Sequence, residues 1–477
     1  MPNRIENAHD HLHARCLSFP ETLAQSVANI SPSVTPLIIV PLVFASAGQG
    51  TWLSYVIATA AIILVGLNVN QFTRRTSSPG SLYSFAGRGL GGLAGFMTGW
   101  CLLAAYVLTA VAVMSGALSY ASILMDLAGI HMPVAVVGLG FSLLAWYVAW
   151  KDVKISARLM LAIEGFSVLS IIIVASIVLW RYGLMDPGQL DMSAINVRGV
   201  RDGLMLAIFG YVGFESAASL GEEARSPLRN IPLAVALGIV LSGIFFVATA
   251  YVEVAGFNAS RTDLANFRYP YNHLSHHVHV AWLGTVISIG VTISLFACAV
   301  ASINAAARIL LMMGRHGVFP SAFKKIHLAN RTPHVGASMV AVTMLVVLVG
   351  MLARGGSPTD IFDAFGTVAT YGFLVSYILV CLAAPVYLRF RGELRNRDVL
   401  ISVAAITFLL PAAISTVYPV PAAPADALPF YFAAYVVVGL GWFMAASRLS
   451  SESLFSKIKA DLDGVLPSVP EGDEGAR

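Results

Sequence analysis

Long apolar runs separated by short polar stretches dominate the chain. Residues 22–73 contain no Asp, Glu, Lys or Arg, and the stretch 47–50 divides them into two runs. About 20 apolar residues span a bilayer as a helix, and each run here is continuously apolar rather than alternating. The pattern therefore predicts twelve transmembrane helices, the other ten near residues 92–125, 133–150, 157–180, 202–220, 231–256, 281–313, 334–352, 361–388, 399–418 and 428–447.

The composition excludes a soluble enzyme, a nucleic-acid-binding protein and a fibrous protein. Of 477 residues, 57% are hydrophobic and 11% are charged, whereas an ordinary soluble domain has roughly 25% charged residues. The net charge of +4 is too small to indicate a polyanionic partner. The four cysteines show no paired spacing, so we expect buried thiols rather than disulfides or a metal site. The polar N-terminus lacks the pattern of a signal peptide.

The distribution of Lys and Arg sets the expected orientation. With the N-terminus in the cytoplasm, 23 of the 29 basic residues fall on the cytoplasmic side of the twelve helices and 6 on the other side. Cytoplasmic loops carry an excess of Lys and Arg. We therefore expect both termini in the cytoplasm and the protein in the cell's inner or plasma membrane. The terminal tails, 1–20 and 448–477, are too short for a catalytic domain, so we expect the function to lie within the membrane.

Two of the predicted spans contain residues that interrupt a helix. Prolines remove backbone donors and glycines loosen the backbone, and matched interruptions in two halves of a membrane protein are typical of inverted-repeat transporters, whose substrate site lies between them. The alternative is that these residues are ordinary kinks and packing points. The interruptions are Ser31, Pro32, Ser33, Val34, Thr35 and Pro36 in span 1, and Phe209, Gly210, Tyr211, Val212 and Gly213 in span 6.

Three motifs resemble those of the amino acid–polyamine–organocation permeases. Gly210–Glu215 followed by Leu220–Pro232 is similar to that family's segment from span 6 to span 7. Pro79–Tyr83 with Gly91 and Gly99-Trp100 resembles its entry into span 3. Ala307-Arg308, Arg315–Pro320 and Thr332-Pro333 resemble its loop between spans 8 and 9. The resemblance covers roughly residues 22–450.

The resemblance implies an all-α membrane fold of five plus five inverted helices, with helices 1 and 6 discontinuous, working by alternating access. It implies a transporter domain over 21–447, with repeats at 21–181 and 200–390 and peripheral helices at 398–447. It also implies that backbone groups around Ser31–Thr35 and Phe209–Gly213 hold the substrate. Many members have a glycine-rich turn in span 1 that binds a substrate carboxylate. This chain has no glycine there, and the hydroxyls of Ser31, Ser33 and Thr35 are the available substitutes.

Two carboxyl groups lie near the middle of apolar spans, Glu164 in span 5 and Glu215 in span 6. An ionisable residue at membrane depth is a functional candidate by default. Burial favours the neutral carboxyl, so either group is a candidate for proton coupling. For Glu164 the hypothesis is a proton-linked switch, and the alternative is a hydrogen bond that ties span 5 to span 1. For Glu215 a structural hydrogen bond at the interruption is the favoured interpretation.

Other polar groups have both a functional and an ordinary interpretation. Tyr106 on span 3 is a candidate to close over a substrate, or it is a packing residue. Ser294 and Ser302 on span 8 are candidate sodium ligands, although small hydroxyls also pack helices. His273, His276, His277 and His279 precede span 8 and suit zinc binding or pH sensing, but no Cys or acidic residue accompanies them. An exposed polar loop is the favoured interpretation there.

The sequence as a whole favours a secondary transporter for a small amino acid or related amine. No nucleotide-binding, nucleophile or metal motif is present, so we expect no cofactor and no enzyme activity, with a proton or sodium gradient as the driving force. The partners expected are the substrate, the coupling ion and the lipid bilayer, without nucleic acid. The alternatives are a cationic amine or polyamine carrier or exchanger, a channel, and a membrane-embedded enzyme. Substrate identity and oligomeric state do not follow from the sequence.

Overall fold

The computed structural model is built from helices. It describes residues 15–151, 153–193, 195–267, 269–327, 330–415, 418 and 425–449, with the side chains of 153–160, 415 and 448–449 left undescribed. The first helices are α1 (Phe19–Ile30), α2 (Val40–Ala47), α3 (Thr51–Thr73), α4 (Leu82–Leu90), α5 (Gly92–Leu127), α6 (Val134–Lys151), α7 (Val153–Tyr182) and α8 (Val197–Phe209). They are followed by α9 (Pro227–Ser260), α10 (Pro270–His277), α11 (Ala281–Arg315), α12 (His334–Ala353), α13 (Pro358–Phe390), α14 (Asn396–Ser415) and α15 (Leu428–Leu449).

Eleven stretches within the described residues are long and apolar enough to cross a membrane, where the sequence predicts twelve spans. The difference lies in the first stretch, Phe19–Thr73, which holds α1, α2 and α3 in 55 residues. A helix of that length extends about 80 Å, far more than the roughly 30 Å of a bilayer's hydrocarbon core. Gly48 has a φ of 53°, which turns the chain between α2 and α3. The stretch is therefore long enough for two crossings.

Two short helices lie where the sequence predicts other structure. The entry into span 3 forms the separate helix α4, which Gly91 ends with a φ of 92° before α5 begins. The histidine-containing segment before α11 forms α10 rather than an exposed polar loop, and its Tyr271 and Leu274 are buried. Pro270 begins that helix, in the position where a missing backbone donor costs least.

The first span is interrupted between α1 and α2. α1 ends at Ile30, and Ser31 takes a left-handed conformation with a φ of 48°. Pro32 and Pro36 lack the backbone N–H that a continuing helix needs. After Ser33 the chain resumes as a wide π-helical turn, Thr35–Ile39, which leads into α2. We call residues 31–33 the first break.

The sixth span is interrupted after α8. The helix ends at Phe209, and Gly213 has a φ of 91°, a conformation that glycine adopts without a steric penalty. A tight 3₁₀ helix, Phe214–Leu220, continues the span. We call residues 210–213 the second break. α5 packs against α11 and α13 beside both breaks, which gives the centre of the bundle a continuous wall.

The ends of the two broken spans meet at each face of the bundle. At one face, which we call the entry face, the amide of Leu17 donates to the carbonyl of Glu223 at 2.9 Å. At the opposite face, α8 lies directly against α2, so close that a Cβ on Gly199 would collide with the carbonyl oxygen of Ser46. Each broken span therefore has one half that begins or ends at the entry face and one half at the opposite face.

Candidate functional site

A small cavity lies between the two breaks. Its volume is about 20 Å³, which is room for about one water molecule. Both broken spans contribute to its wall, and α5, α11 and α13 complete it. The lining residues are Asn29, Ile30, Ser31, Val34, Ile39, Thr109, Val113, Phe209, Gly210, Val212, Cys298 and Phe362. A larger occupant would require the spans around the cavity to move apart.

Two hydroxyl groups at the cavity have no hydrogen-bond partner among the described residues. Thr109 on α5 lines the cavity and is 2% exposed, and its Oγ1 is unpaired. Thr35 follows the first break, and its Oγ1 is also unpaired and faces Gly210. An unpaired buried hydroxyl costs about 1–3 kcal/mol. Both groups would be satisfied by a polar ligand in an enlarged cavity.

Glu164 holds the first break in place from α7. Its Oε1 accepts a hydrogen bond from the backbone amide of Ser33 at 2.7 Å, and its Oε2 accepts one from the hydroxyl of Ser294 on α11. The Ser294 hydroxyl is also 2.5 Å from that of Ser31 and 3.1 Å from that of Ser33. All four residues are buried. One carboxylate and three hydroxyls thus form an oxygen-rich cluster against the first break.

Glu215 holds the second break from within the sixth span. Its Oε1 accepts a hydrogen bond from the hydroxyl of Tyr106 on α5 at 2.7 Å, and its Oε2 accepts one from Tyr377 on α13 at 2.8 Å. Tyr106 packs edge-on against Phe373 and does not line the cavity. The structure therefore places this tyrosine as a hydrogen-bond partner of Glu215, and its closing over a substrate stays a prediction.

The residues selected at the breaks divide into two groups. Ser31, Val34, Phe209, Gly210 and Val212 line the cavity. The remaining residues, Pro32, Ser33, Thr35, Tyr211 and Gly213, do not line it, although Thr35 faces the lining residue Gly210.

Two of the selected residues have partners elsewhere in the bundle. The hydroxyl of Tyr211 lies 2.5 Å from that of Thr59 on α3. Ser302 donates to the Asn29 side chain at 2.8 Å, so it lies apart from the Glu164 cluster, whereas Ser294 is part of that cluster.

Sequence reasoning missed part of the cavity wall and one carboxyl group. Asn29 and Thr109 are polar residues that line the cavity, but no neighbouring sequence motif marks either as a site residue. The interruption of the first span begins two residues after Asn29. Glu253 on α9 is 0% exposed, and the sequence analysis, which looked for carboxyls near the middle of a span, does not select it. It interacts electrostatically with Tyr55 of α3, Tyr120 of α5 and Tyr271 of α10.

A buried ion pair lies between the cavity and the entry face. The guanidinium of Arg308 on α11 donates from Nε and Nη2 to the carboxylate of Glu223, at 2.8 and 3.0 Å. Their side chains are 1% and 4% exposed. Above it, Gln25 donates to the carbonyl of Ala301 at 3.2 Å, which joins α1 to α11. These contacts tie α11 to α1 and to the segment that follows the sixth span.

The histidines of α10 are arranged as a stack rather than as a ligand set. The ring centroids of His273 and His277 are 6.1 Å apart, and His273 also packs on Phe267. Over the part of the chain that the structure describes, no group of three or more His, Cys, Asp or Glu side chains is arranged to hold a metal ion.

Comparison with known proteins gives consistent matches. The family model described as amino acid permease matches residues 23–423. The chain is 23% identical to the branched-chain amino acid permease BcaP of Bacillus subtilis (strain 168), over 83% of this chain and 82% of the relative. It is 22% identical to the methylthioribose transporter of the same organism, over 73% and 76%. It is 25% identical to the low-affinity putrescine importer PlaP of Escherichia coli (strain K12), over 69% and 72%.

Proposed function

Because the chain belongs to the amino acid permease family, which consists of membrane transporters, we propose that it is a secondary active transporter for a small amino acid or a related amine. Transport would occur by alternating access between the two faces. The observation that carries the proposal is the cavity enclosed by both breaks, where irregular backbone and unpaired hydroxyls lie at membrane depth. Its small volume corresponds to a closed state, from which either side would open.

The cavity wall supports a substrate with a small, uncharged side chain. No lining residue is charged, and most of the wall is apolar, including the rings of Phe209 and Phe362. The polar groups, Asn29, Ser31 and Thr109, would bind the polar end of the substrate. BcaP is named as a branched-chain amino acid permease, which agrees with a substrate of this kind.

A second candidate is a cationic amine or polyamine carrier, which the amides of the first break favour. Pro32 and Pro36 have no N–H, the Ser33 amide donates to Glu164, and the Val34 amide donates to the carbonyl of Ser31 at 2.9 Å. A substrate carboxylate therefore finds few free amides at this break. An amine without a carboxylate would not need them, and PlaP is named as a putrescine importer.

The Glu164 cluster is the proposed coupling site. A carboxylate with the hydroxyls of Ser31, Ser33 and Ser294 supplies oxygen atoms for a sodium ion, or a site for a proton, directly against the first break. Cation binding there would change how firmly α7 and α11 hold the break. Glu215 and Ser302 are proposed to act less directly. Glu215 holds the second break in place, and Ser302 holds Asn29.

The topology completes the proposal. We propose twelve spans, arranged as two five-helix repeats with α14 and α15 at the periphery. This arrangement is consistent with the eleven apolar helical stretches, because the first of them, Phe19–Thr73, is long enough for two spans. The bias of Lys and Arg supports a cytoplasmic entry face, both termini in the cytoplasm, and the cell's inner or plasma membrane.

Uptake by reconstituted vesicles tests the function. We expect saturable uptake of radiolabelled leucine that rises with an imposed proton or sodium gradient and that excess unlabelled substrate abolishes. Competition by leucine, isoamylamine and putrescine separates the two candidates, because isoamylamine is leucine without its carboxylate. Stronger inhibition by leucine supports the amino acid, and stronger inhibition by both amines supports the amine carrier. Linear, non-competing flux of every probe would contradict a carrier and indicate a channel.

A further inference from the structure

Glu253 on α9 differs from Glu164 and Glu215 because its carboxyl group lacks hydrogen-bond donors among the described residues. Neither Oε1 nor Oε2 has a partner among the described residues, and the residue is 0% exposed. Glu164 and Glu215 accept hydrogen bonds on both oxygens. A carboxylate ion without donors is strongly disfavoured in a low-dielectric interior. The surroundings of Glu253 therefore favour the neutral, protonated form of its carboxyl group in this state of the protein.

Tyrosine hydroxyls from three helices surround this carboxyl. Electrostatic interaction links Glu253 to Tyr55 on α3, Tyr120 on α5 and Tyr271 on α10. The Tyr120 hydroxyl donates to the carbonyl of Leu37 at 2.9 Å, whereas the Tyr55 and Tyr271 hydroxyls have no partner among the described residues. Two unpaired donors therefore lie near an unpaired acceptor without bonding to it, which is the arrangement expected of a site that changes its bonding between states.

No described cation compensates Glu253. The elements packed against α9 include α1, α3, α7, α10 and the halves of the broken spans. Their titratable and charged side chains have partners elsewhere: Glu21 bonds Ser18, Glu164 and Glu215 bond at the breaks, Arg181 contacts His277 and His279, and His273 stacks with His277. Among the described residues, Tyr55, Tyr120 and Tyr271 interact electrostatically with Glu253.

The tyrosines that interact with Glu253 also contact both broken spans, which links the carboxyl to the motion proposed for transport. Tyr120 bonds Leu37, in the π-helical turn that follows the first break. Tyr55 interacts electrostatically with Tyr211 of the second break. Movement of either broken span would therefore change the hydroxyls around Glu253.

We propose that Glu253, with the hydroxyls of Tyr55 and Tyr271, is a proton-binding site separate from the Glu164 cluster, loaded in the closed state and emptied to water when the breaks separate. Binding forms one O–H bond on the carboxylate, and release returns that proton to water, so no other reactant is needed. A divalent cation is less suitable, since it takes roughly six oxygen ligands. The inference rests on the proposed transport function and specifies a proton as one of its coupling ions.

Infrared spectroscopy tests the loaded state without any substrate. In purified full-length protein at neutral pH, a protonated carboxyl gives a carbonyl stretch that shifts in D₂O. We expect the spectrum of Glu253→Gln to lack one such band that the unsubstituted protein and Glu164→Gln both retain. In Tyr55→Phe and Tyr271→Phe, the band should disappear at a higher pH than in the unsubstituted protein, because the ionised carboxylate loses a hydrogen-bond donor. Tyr147→Phe, on the surface of α6, should leave that pH unchanged. An unchanged band in Glu253→Gln would overturn the proposal.

Proton flux in the same vesicles tests the emptying step. With a pH-sensitive dye inside and leucine or putrescine as the probe, Glu253→Gln should move fewer protons per substrate than the unsubstituted protein. Equal numbers of protons, with the infrared band lost, would make Glu253 a static neutral acid and overturn the proposal. If the unsubstituted protein moves neither probe, the transport function fails for these probes, and the infrared result still decides whether Glu253 holds a proton.

Discussion

The carboxylate of Glu164 and the backbone amide of Ser33 lie 2.7 Å apart, so a side chain from α7 fixes the interruption of the first span. Ser294 of α11 bonds the second oxygen of the same carboxylate. α7, α11 and the first break therefore meet at one carboxyl group. Any event that neutralises Glu164 weakens the contact between the first break and both neighbouring helices.

Glu164→Gln is expected to uncouple transport from the cation gradient. The amide keeps an oxygen that can accept from Ser33 but has neither the charge nor a second acceptor for Ser294. A hydrogen bond to a charged group contributes about 1.5–3 kcal/mol, so gradient-driven uptake should fall about tenfold or more. Initial rates measured at several external pH values and sodium concentrations should become flat.

The matched control for Glu164→Gln is Glu393→Gln. Glu393 is also a glutamate bonded to partners, but it lies at the surface with Arg75 and Arg391. Its substitution should leave the pH and sodium profiles unchanged. If Glu164→Gln keeps the pH dependence and sodium dependence of the unsubstituted protein, coupling does not pass through this residue.

Gly213→Ala is expected to abolish transport while leaving the protein folded. Gly213 has a φ of 91°, and a Cβ there would collide with the side chain of Asn29. Backbone strain of this kind costs about 1–3 kcal/mol. It would affect both the second break and Asn29, which lines the cavity. The control is Gly140→Ala in α6, where a Cβ meets no atom within 4 Å. Saturable uptake and thermal stability, measured for both variants, check this; normal uptake by Gly213→Ala would contradict a tightly fitted break.

Removing one partner of the Arg308–Glu223 pair should destabilise the protein strongly. Each single substitution, Arg308→Met or Glu223→Met, leaves a buried charge unpaired, at a cost of about 3–5 kcal/mol. The double substitution should cost less than the sum of the two. The control is Arg201→Met, whose pair with Asp202 is about 40% exposed and should contribute about 0–1 kcal/mol. Thermal unfolding of the four variants measures the coupling, and additive losses would show that the pair does not interact.

His273 should make stability depend on pH below neutrality. Burial, followed by the neighbouring His277 and His276, lowers the pKa of His273 below its ordinary value of 6.5. The folded state thus binds fewer protons than the unfolded state in this range. The contribution of the neutral ring is fully present above pH 6.5 and is lost as the pH falls through the folded pKa. Melting temperatures from about pH 5 to about pH 8 should vary less in His273→Gln than in His131→Gln, an exposed control.

The positions of the breaks and the family were accessible from sequence because local chemistry sets both. Pro32 and Pro36 cannot supply helix donors, and Gly213 allows a positive φ, so short segments sufficed to predict where each helix stops. The family assignment is confirmed by the model match over residues 23–423.

The partners of the buried carboxyls were not accessible, since they come from distant parts of the chain. Glu164 bonds residues 131 and 130 positions away, and Glu215 bonds residues 109 and 162 positions away. No local pattern records such pairings. Glu253 was missed for a related reason: Tyr55, Tyr120 and Tyr271, with which it interacts electrostatically, come from three separate helices.

The bridge between Leu17 and Ala224 has a practical consequence for following the protein in motion. Ser26 donates to the carbonyl of Phe214 at 2.6 Å and Ser216 donates to that of Gln25 at 3.2 Å, so we expect the entry-face halves of both broken spans to move together. Spin labels on residues 17 and 224 should keep a constant separation through the whole cycle. A label on residue 224 paired with one on α11 would instead detect movement of these halves relative to α11, as a change in the distance between the two labels.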